Sequence, residues 1–197
     1  MGFGVRAYVV DIGRLTSAIG GKDRGLLRSV TATCADMIED MDHLAYEDDD
    51  DTDAKERGGL RAMITALIEG DFGALDEADG LGRAGLGYAL ECLSAHLSGG
   101  PLFRDAFTEI DGDWLREQPV LCELAGRPGP LTGRMPFPED FPAICVIGNR
   151  ESPVMLSAAQ TARDGNSETD SRPCYDELIA WLATAHAEGK GLVTFCY

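Results

Sequence analysis

The stretch RPCYDELIAWLATAHAEGKGLVTFCY, residues 172–197, decides the fold. Its first half carries apolar residues at the spacing of one helix face, namely Tyr175, Leu178, Ile179, Leu182 and Ala185. This pattern predicts a helix over residues 174–188, which Gly189 and Gly191 end with a left-handed C-cap. Residues 192–197 are rich in β-branched and aromatic side chains and are predicted to form a strand. A lone apolar strand is unstable in water, so other strands must pair with it.

Two further segments, Val5–Val10 and Ala143–Ile147, have the composition of strands. Asp11 follows the first of them as the predicted N-cap of a short helix over residues 12–19. The three strand segments lie at the start, the middle and the end of the chain. We therefore expect one small sheet that contains all three.

The segments between these strands are predicted to be mainly helical. Helices are expected over residues 23–44, 81–97 and 151–162 and from an N-cap at Asp53 to residue 69, from apolar residues at helical spacing. The helix over residues 81–97 is apolar nearly all round, so it should lie at the centre of the protein. Together these features predict an α+β fold and a single globular domain over residues 1–197, with an acidic loop at about 46–55 and a polar loop at about 163–172.

The chain carries 34 acidic and 17 basic residues, for a net charge of −17. Such a charge disfavours direct contact with nucleic acid and with anionic membranes, which are polyanions. Arginine outnumbers lysine 14 to 3, a bias typical of GC-rich bacterial genomes. No apolar run long enough to cross a membrane and no signal peptide is recognisable, so we expect a cytoplasmic protein.

Six cysteines are scattered along the chain without a C-x-x-C pair: Cys34, Cys92, Cys122, Cys145, Cys174 and Cys196. Four of them lie within apolar periodic stretches. This distribution predicts reduced, buried thiols and no disulfide framework.

Three short motifs resemble those of a known family. They are Gly4, Tyr8, Val10 and Asp11 near the start; residues 139–142, with the sequence EDFP; and residues 191–197, with the sequence GLVTFCY. In these the chain is similar to an uncharacterised family of small acidic bacterial proteins, a domain of unknown function. The resemblance implies one domain over essentially the whole chain, and it implies no catalytic residue.

Residues 80–85, GLGRAG, match the dinucleotide-binding pattern G-x-G-x-x-G. An acidic segment with Asp76, Glu77 and Asp79 precedes them in place of the required strand, and would repel a phosphate. We interpret the small residues as allowing a close approach of the core helix to a neighbour. No cofactor is predicted.

The sequence also argues against a calcium site in the aspartate run and against a zinc site at Cys92 and His96. The aspartate run that begins at Asp49 lacks the glycine and the bidentate glutamate of a calcium loop, because Ala54 and Leu60 occupy those positions. Cys92 and His96 lie four residues apart on one helix face, but no further zinc ligand has a matching spacing. We predict no metal site and expect a buried cysteine beside a histidine at the helix end.

The acidic run contains the candidate partner-binding residues, Asp48, Asp49, Asp50, Asp51 and Asp53. They favour a non-enzymatic protein that binds a basic protein partner, such as an immunity protein, an inhibitor or a regulatory factor. One alternative is an enzyme or small-ligand binder with a pocket near Tyr8, Asp11, Cys92 or His96. A second is an assembly role, in which the terminal strands pair between subunits.

Overall fold

The three predicted strands form one antiparallel sheet in the computed structural model. The structure describes residues 4–46, 59–73, 81–100, 112–127, 129–138, 142–166 and 171–197. The strands are β1 (Val5–Val10), β2 (Ala143–Ile147) and β3 (Gly191–Cys196), in the order β1-β3-β2. The C-terminal strand is therefore central, with Phe195 opposite Arg6 on one side and Ile144 on the other. The predicted shared sheet is confirmed.

Both faces of this sheet are covered, which explains why its strands are apolar runs rather than alternating ones. All six residues of β3 are buried. One face carries Tyr8, Val10, Ile144, Val146, Val193 and Phe195. The opposite face carries Val5, Ala7, Val9, Cys145, Ile147, Leu192 and Cys196. Because side chains alternate between the faces of a strand, each face belongs to a separate apolar core.

Helices form the two outer layers. Their bounds are α1 Ile12–Ala18, α2 Arg24–Thr33, α3 Ala35–Tyr46, α4 Gly59–Glu69, α5 Leu81–Ser98, α6 Gly112–Glu117, α7 Ser152–Gly165 and α8 Arg172–Ala187. Helices α1 to α5 supply the core on the Tyr8 face, and α6, α7 and α8 supply the core on the other. This arrangement confirms the α+β class. No helix within the described ranges is long and apolar enough to cross a membrane.

The C-terminal helix and its cap follow the sequence pattern closely. Helix α8 buries Tyr175, Leu178, Leu182 and Ala185, while Ile179 is half-buried. Gly189 has φ of +66°, so the predicted left-handed residue is present. The Lys190 amide donates to the Ala185 carbonyl at 2.9 Å, which closes the helix end.

Gly191, the first residue of β3, has no room for a side chain. A Cβ atom there would lie 2.5 Å from the Ile147 carbonyl oxygen and 2.4 Å from a side-chain carbon of Ile12. We expect Gly191→Ala to lower the free energy of unfolding by about 1–3 kcal/mol, because a backbone atom cannot yield as a side chain can. Gly165→Ala, where no atom lies within 4 Å, is the matched control and should be neutral in chemical denaturation. Equal stability of both variants would contradict this packing.

The prediction of one continuous helix over residues 23–44 is wrong. Helix α2 ends at Cys34, which has φ −105° and ψ 23°, and α3 begins at Ala35. Thr31 and Thr33 hydrogen-bond back to the carbonyls of Leu27 and Ser29, and such bonds bend helices. At this interruption, Cys34 faces α5.

The two predicted loops have different outcomes. The predicted range of the polar loop, about 163–172, is too long, because α7 continues to Gly165 and α8 begins at Arg172. The acidic loop at about 46–55 lies outside the described residues except for Tyr46, the last residue of α3.

The close approach expected of the core helix occurs along α5. A Cβ on Gly85 would lie 2.9 Å from Met63 Cγ of α4. One on Gly87 would lie 2.7 Å from the Pro142 ring. The small residues therefore let α5 pack tightly between α4 and the segment that leads into β2.

Candidate functional site

One carboxylate is completely buried in the centre of the fold. Glu91 lies on α5 among the buried residues Leu90, Cys92 and Leu93, and is itself 0% exposed. A carboxylate in such surroundings loses its hydration, so it requires several hydrogen-bond donors. The donors come from the two terminal strands.

Three side chains hydrogen-bond Glu91. The Tyr8 hydroxyl donates to Oε1 at 2.6 Å, and Arg6 Nη1 donates to the same oxygen at 3.3 Å. The Tyr197 hydroxyl donates to Oε2. Arg6 and Tyr8 are two residues apart on β1 and therefore share a face, while Tyr197 follows β3 directly. We call Arg6, Tyr8, Tyr88, Glu91 and Tyr197 the Glu91 cluster.

The outer part of the Glu91 cluster is a stack of aromatic and cationic groups. The rings of Tyr88 and Tyr197 stack with centroids 5.5 Å apart and planes inclined by 17°. The Arg6 guanidinium carbon lies 5.2 Å from the centroid of the Tyr197 ring, a cation–π distance. The side chain of Arg6 is 41% exposed, so the stack separates Glu91 from water.

Burial controls the titration of the cluster. Loss of hydration raises the pKa of Glu91, while the hydrogen bond from Tyr8 and the charge of Arg6 oppose this rise. Burial also raises the pKa of Tyr8, and the charge of Glu91 adds to that increase. The pKa of Tyr88 is raised for the same two reasons. The Tyr8 phenol consequently remains protonated and continues to donate to Glu91.

The geometry of the Glu91 cluster suits a structural tie better than a reaction centre. Its carboxylate oxygens face donors of the protein, and Tyr8 is only 1% exposed. A substrate would have to compete with these three donors for the carboxylate oxygens of Glu91. The cluster instead joins β1, the chain end after β3, and α5 at one point.

The structure scatters the residues of the predicted ligand pocket. Tyr8 hydrogen-bonds Glu91, and Cys92 is the next residue along α5. His96 Nδ1 lies 3.0 Å from the Thr33 hydroxyl. Asp11, at the other end of β1, is exposed and caps α1 by accepting from the Arg14 amide at 3.0 Å. The four residues form no common pocket, and the ligand-binding alternative stays a prediction.

An open apolar groove lies elsewhere, between α7 and the segment after α6. It is lined by Pro119, Val120, Pro153, Val154, Ser157, Ala158, Thr161 and Ala162. Tyr8, Asp11, Cys92 and His96 are not among these lining residues. None of the described residues that line the groove is charged, so none could orient a substrate by its charge.

Among the described residues, no group of three or more histidine, cysteine or carboxylate side chains is arranged to hold a metal ion. Cys92 instead contacts two sulfur-containing residues, Cys34 and Met37. All six cysteines are free thiols, and all but the half-buried Cys122 are buried, as the sequence predicts.

The terminal strands, which the assembly alternative would pair between subunits, pair with each other within the chain. The outer edge of β2 is partly covered, because Arg127 exchanges backbone hydrogen bonds with Ile144 and Val146. The assembly role stays a prediction, and β1 is the strand whose outer edge it would use.

Of the five residues of the Glu91 cluster, only Tyr8 is a candidate site residue from the sequence. A signal was present: Glu91 interrupts an apolar helix and Arg6 interrupts an apolar strand, and their charges are opposite. When each of two buried elements carries a single charge and the charges are opposite, the two charged side chains are expected to pair, because burying an unpaired charge costs folding free energy. Asp48, Asp49, Asp50, Asp51 and Asp53, the candidate partner-binding residues, lie outside the described residues.

Comparison with known proteins places the whole chain in one family. The sequence model described as Domain of unknown function (DUF7691) matches residues 1–197. No curated protein and no solved structure matches the chain. The matched region contains every residue of the Glu91 cluster, from Arg6 and Tyr8 on β1 to Tyr197. The chain belongs to the DUF7691 family.

Proposed function

We propose that this protein is non-enzymatic and acts by binding a basic protein partner, as an immunity protein, an inhibitor or a regulatory factor. The observation that carries the proposal is the distribution of charge. Within the residue ranges that the structure describes, 17 side chains are acidic and 14 are basic. The rest of the chain holds the remaining 17 acidic residues and only three basic ones. The excess of negative charge is therefore concentrated in a few stretches.

The densest of these stretches is residues 47–53, EDDDDTD, in which six of seven side chains are carboxylates. Consecutive Cα atoms are about 3.8 Å apart, which is less than the Debye length of about 8 Å at physiological salt, so neighbouring charges of the stretch act together on an approaching molecule. A concentrated negative field accelerates the encounter with a positively charged surface. The same field repels nucleic acid and anionic membranes. We further propose that the protein is bacterial and works in the cytoplasm.

Affinity capture from the native host tests the proposal. The tagged protein, immobilised at low salt, should retain a basic protein that added salt releases, since the attraction between exposed charges is screened. Retention of no basic protein, or of one whose binding is insensitive to salt, would contradict the proposed function.

The acidic stretch should contribute nothing favourable to folding. Simultaneous replacement of Asp48, Asp49, Asp50 and Asp51 by asparagine removes four mutually repelling charges, so thermal stability should stay constant or rise slightly. Added calcium should not change the melting temperature of the wild type, because the run lacks the ligands of a calcium loop. A clear increase with calcium that the variant loses would contradict this interpretation and would assign the stretch to a metal.

A further inference from the structure

Three sulfur atoms meet between α2, α3 and α5. Cys92 Sγ lies 3.4 Å from Met37 Sδ, and Cys34 Sγ lies 3.4 Å from the carbonyl oxygen of Cys92. Both cysteines belong to the buried core on the Tyr8 face of the sheet. The two cysteines are 58 residues apart in the chain, so the fold brings them together.

The contact lies at the break between α2 and α3. Cys34 is the C-cap residue of α2, at which the chain turns before α3 begins. Val30, Cys34 and Ile38 are spaced four residues apart and are all buried in the core that α5 shares, so the sulfur of Cys34 faces α5. Cys34 is 4% exposed and Cys92 is 0% exposed, so Cys34 is the more accessible thiol.

The two thiols also differ in reactivity. The hydrogen bond with Cys92 lowers the pKa of Cys34, although burial and the charge of Glu91 oppose this effect. The same hydrogen bond, together with burial, raises the pKa of Cys92. Burial raises the pKa of Cys145 to about 12 and those of Cys174 and Cys196 to about 11. Since the thiolate is the nucleophile, Cys34 is the cysteine of this group that is favoured for attack on an oxidant.

We propose that Cys34 and Cys92 are a redox modification site, at which hydrogen peroxide converts the two thiols into a reversible intramolecular disulfide. The Cys34 thiolate attacks one peroxide oxygen; an S–O bond forms, the O–O bond breaks, and the leaving hydroxide takes a proton to become water. Cys92 sulfur then attacks the sulfenic sulfur of Cys34, forming the S–S bond and breaking the S–O bond, and a second water leaves with the Cys92 proton. The peroxide receives the two electrons that the two thiols lose.

The disulfide would join the α2–α3 junction to the core helix. It closes a loop of 58 residues in the unfolded chain, and a crosslink over such a loop stabilises a protein of this size by about 5–10 °C in melting temperature. A thiol reductant reverses the bond and the gain in stability. Met37, which already contacts Cys92, fills the space beside the pair.

Peptide mass spectrometry of the wild type tests the proposal. The reduced, folded protein is treated with hydrogen peroxide at a small molar excess, unfolded in an alkylating agent and digested without reductant. We expect the Cys34 peptide linked to the Cys92 peptide, four of the six cysteines alkylated, and a higher melting temperature that dithiothreitol reverses. Cys34→Ser and Cys92→Ser should each abolish the link.

Cys122→Ser is the matched control, because Cys122 is half-buried and lies outside the pair. This variant should form the Cys34–Cys92 link as the wild type does. The proposal is overturned if peroxide leaves both cysteines alkylated in the wild type. It is equally overturned if Cys34 proceeds to sulfinic acid without a link, or if crosslinking passes only through Cys122 between two molecules. The wild-type result decides the matter even if a serine variant fails to fold.

Discussion

Replacement of Glu91 by alanine is expected to lower the free energy of unfolding by about 2–4 kcal/mol. The change removes the acceptor of the Tyr8 hydroxyl, which is buried and would be left without its partner, and it opens a cavity beside α5. The partly exposed Arg6 and Tyr197 can turn to water, so they add little to the loss. Chemical denaturation measures the difference.

Glu39→Ala is the matched control for this experiment. Glu39 is an exposed glutamate on α3, and its replacement should change stability by about 0.5 kcal/mol or less. If the two alanine variants proved equally stable, the Glu91 cluster would not hold the terminal strands to α5.

Glutamine at position 91 isolates the charge of the cluster. Burial raises the pKa of Glu91 in the folded protein, so the folded state holds this proton more tightly than the unfolded chain. The resulting stabilisation is complete below the ordinary carboxyl pKa and is lost as pH rises through the raised pKa. The wild type should therefore lose stability relative to Glu91→Gln as pH rises through this window. Denaturation profiles that stay parallel over the window would show that the folded and unfolded pKa values are the same.

Phe195→Asp is expected to abolish folding. Phe195 is 0% exposed on the central strand, with Arg6 and Ile144 as its backbone neighbours, and its ring meets Tyr8 edge-on at 5.7 Å. The change removes a large apolar side chain and buries a charge without a designed partner, at a cost of several kcal/mol for each effect. The sum exceeds the stability of many domains.

The equivalent changes Val9→Asp and Val146→Asp extend this test to both outer strands of the sheet. Val9 is 5% exposed and Val146 is 0% exposed. Circular dichroism and the yield of soluble protein should show unfolding for all three variants. Retention of the wild-type melting temperature by all three would contradict the placement of these strands in one buried sheet.

The strands and the last helix could be predicted from local sequence because each is defined by short-range pattern. β-Branched and aromatic runs mark β1, β2 and β3, and Gly189 marks the end of α8 by its left-handed conformation. Strand order is a different kind of property. It depends on which strand hydrogen-bonds to both of the others, and no local sequence pattern shows that β3 is central.

Tertiary contacts account for what the sequence did not reveal. The apolar spacing over residues 23–44 is continuous and gives no sign of the bend at Cys34. The bend is accompanied by threonine hydroxyls that hydrogen-bond the backbone and by a contact of the Cys34 sulfur with α5. Glu91 looked like one of many carboxylates in a highly acidic chain. Its importance comes from burial and from donors 83 to 106 residues away in the chain, which only the folded structure brings together.

The association rate of the captured basic partner, measured at several salt concentrations for two charge-matched variants, tests the proposed function most directly. One variant changes Asp48, Asp49, Asp50 and Asp51 to asparagine; the other changes the exposed residues Glu39, Glu69, Glu117 and Glu188 to glutamine. Both lose four negative charges. We expect the first variant to associate about tenfold more slowly at low salt with a flattened salt dependence, and the second to stay close to the wild type. Equal rates for the wild type and the first variant, or equal slowing of both variants, would contradict recognition of the partner by the acidic stretch.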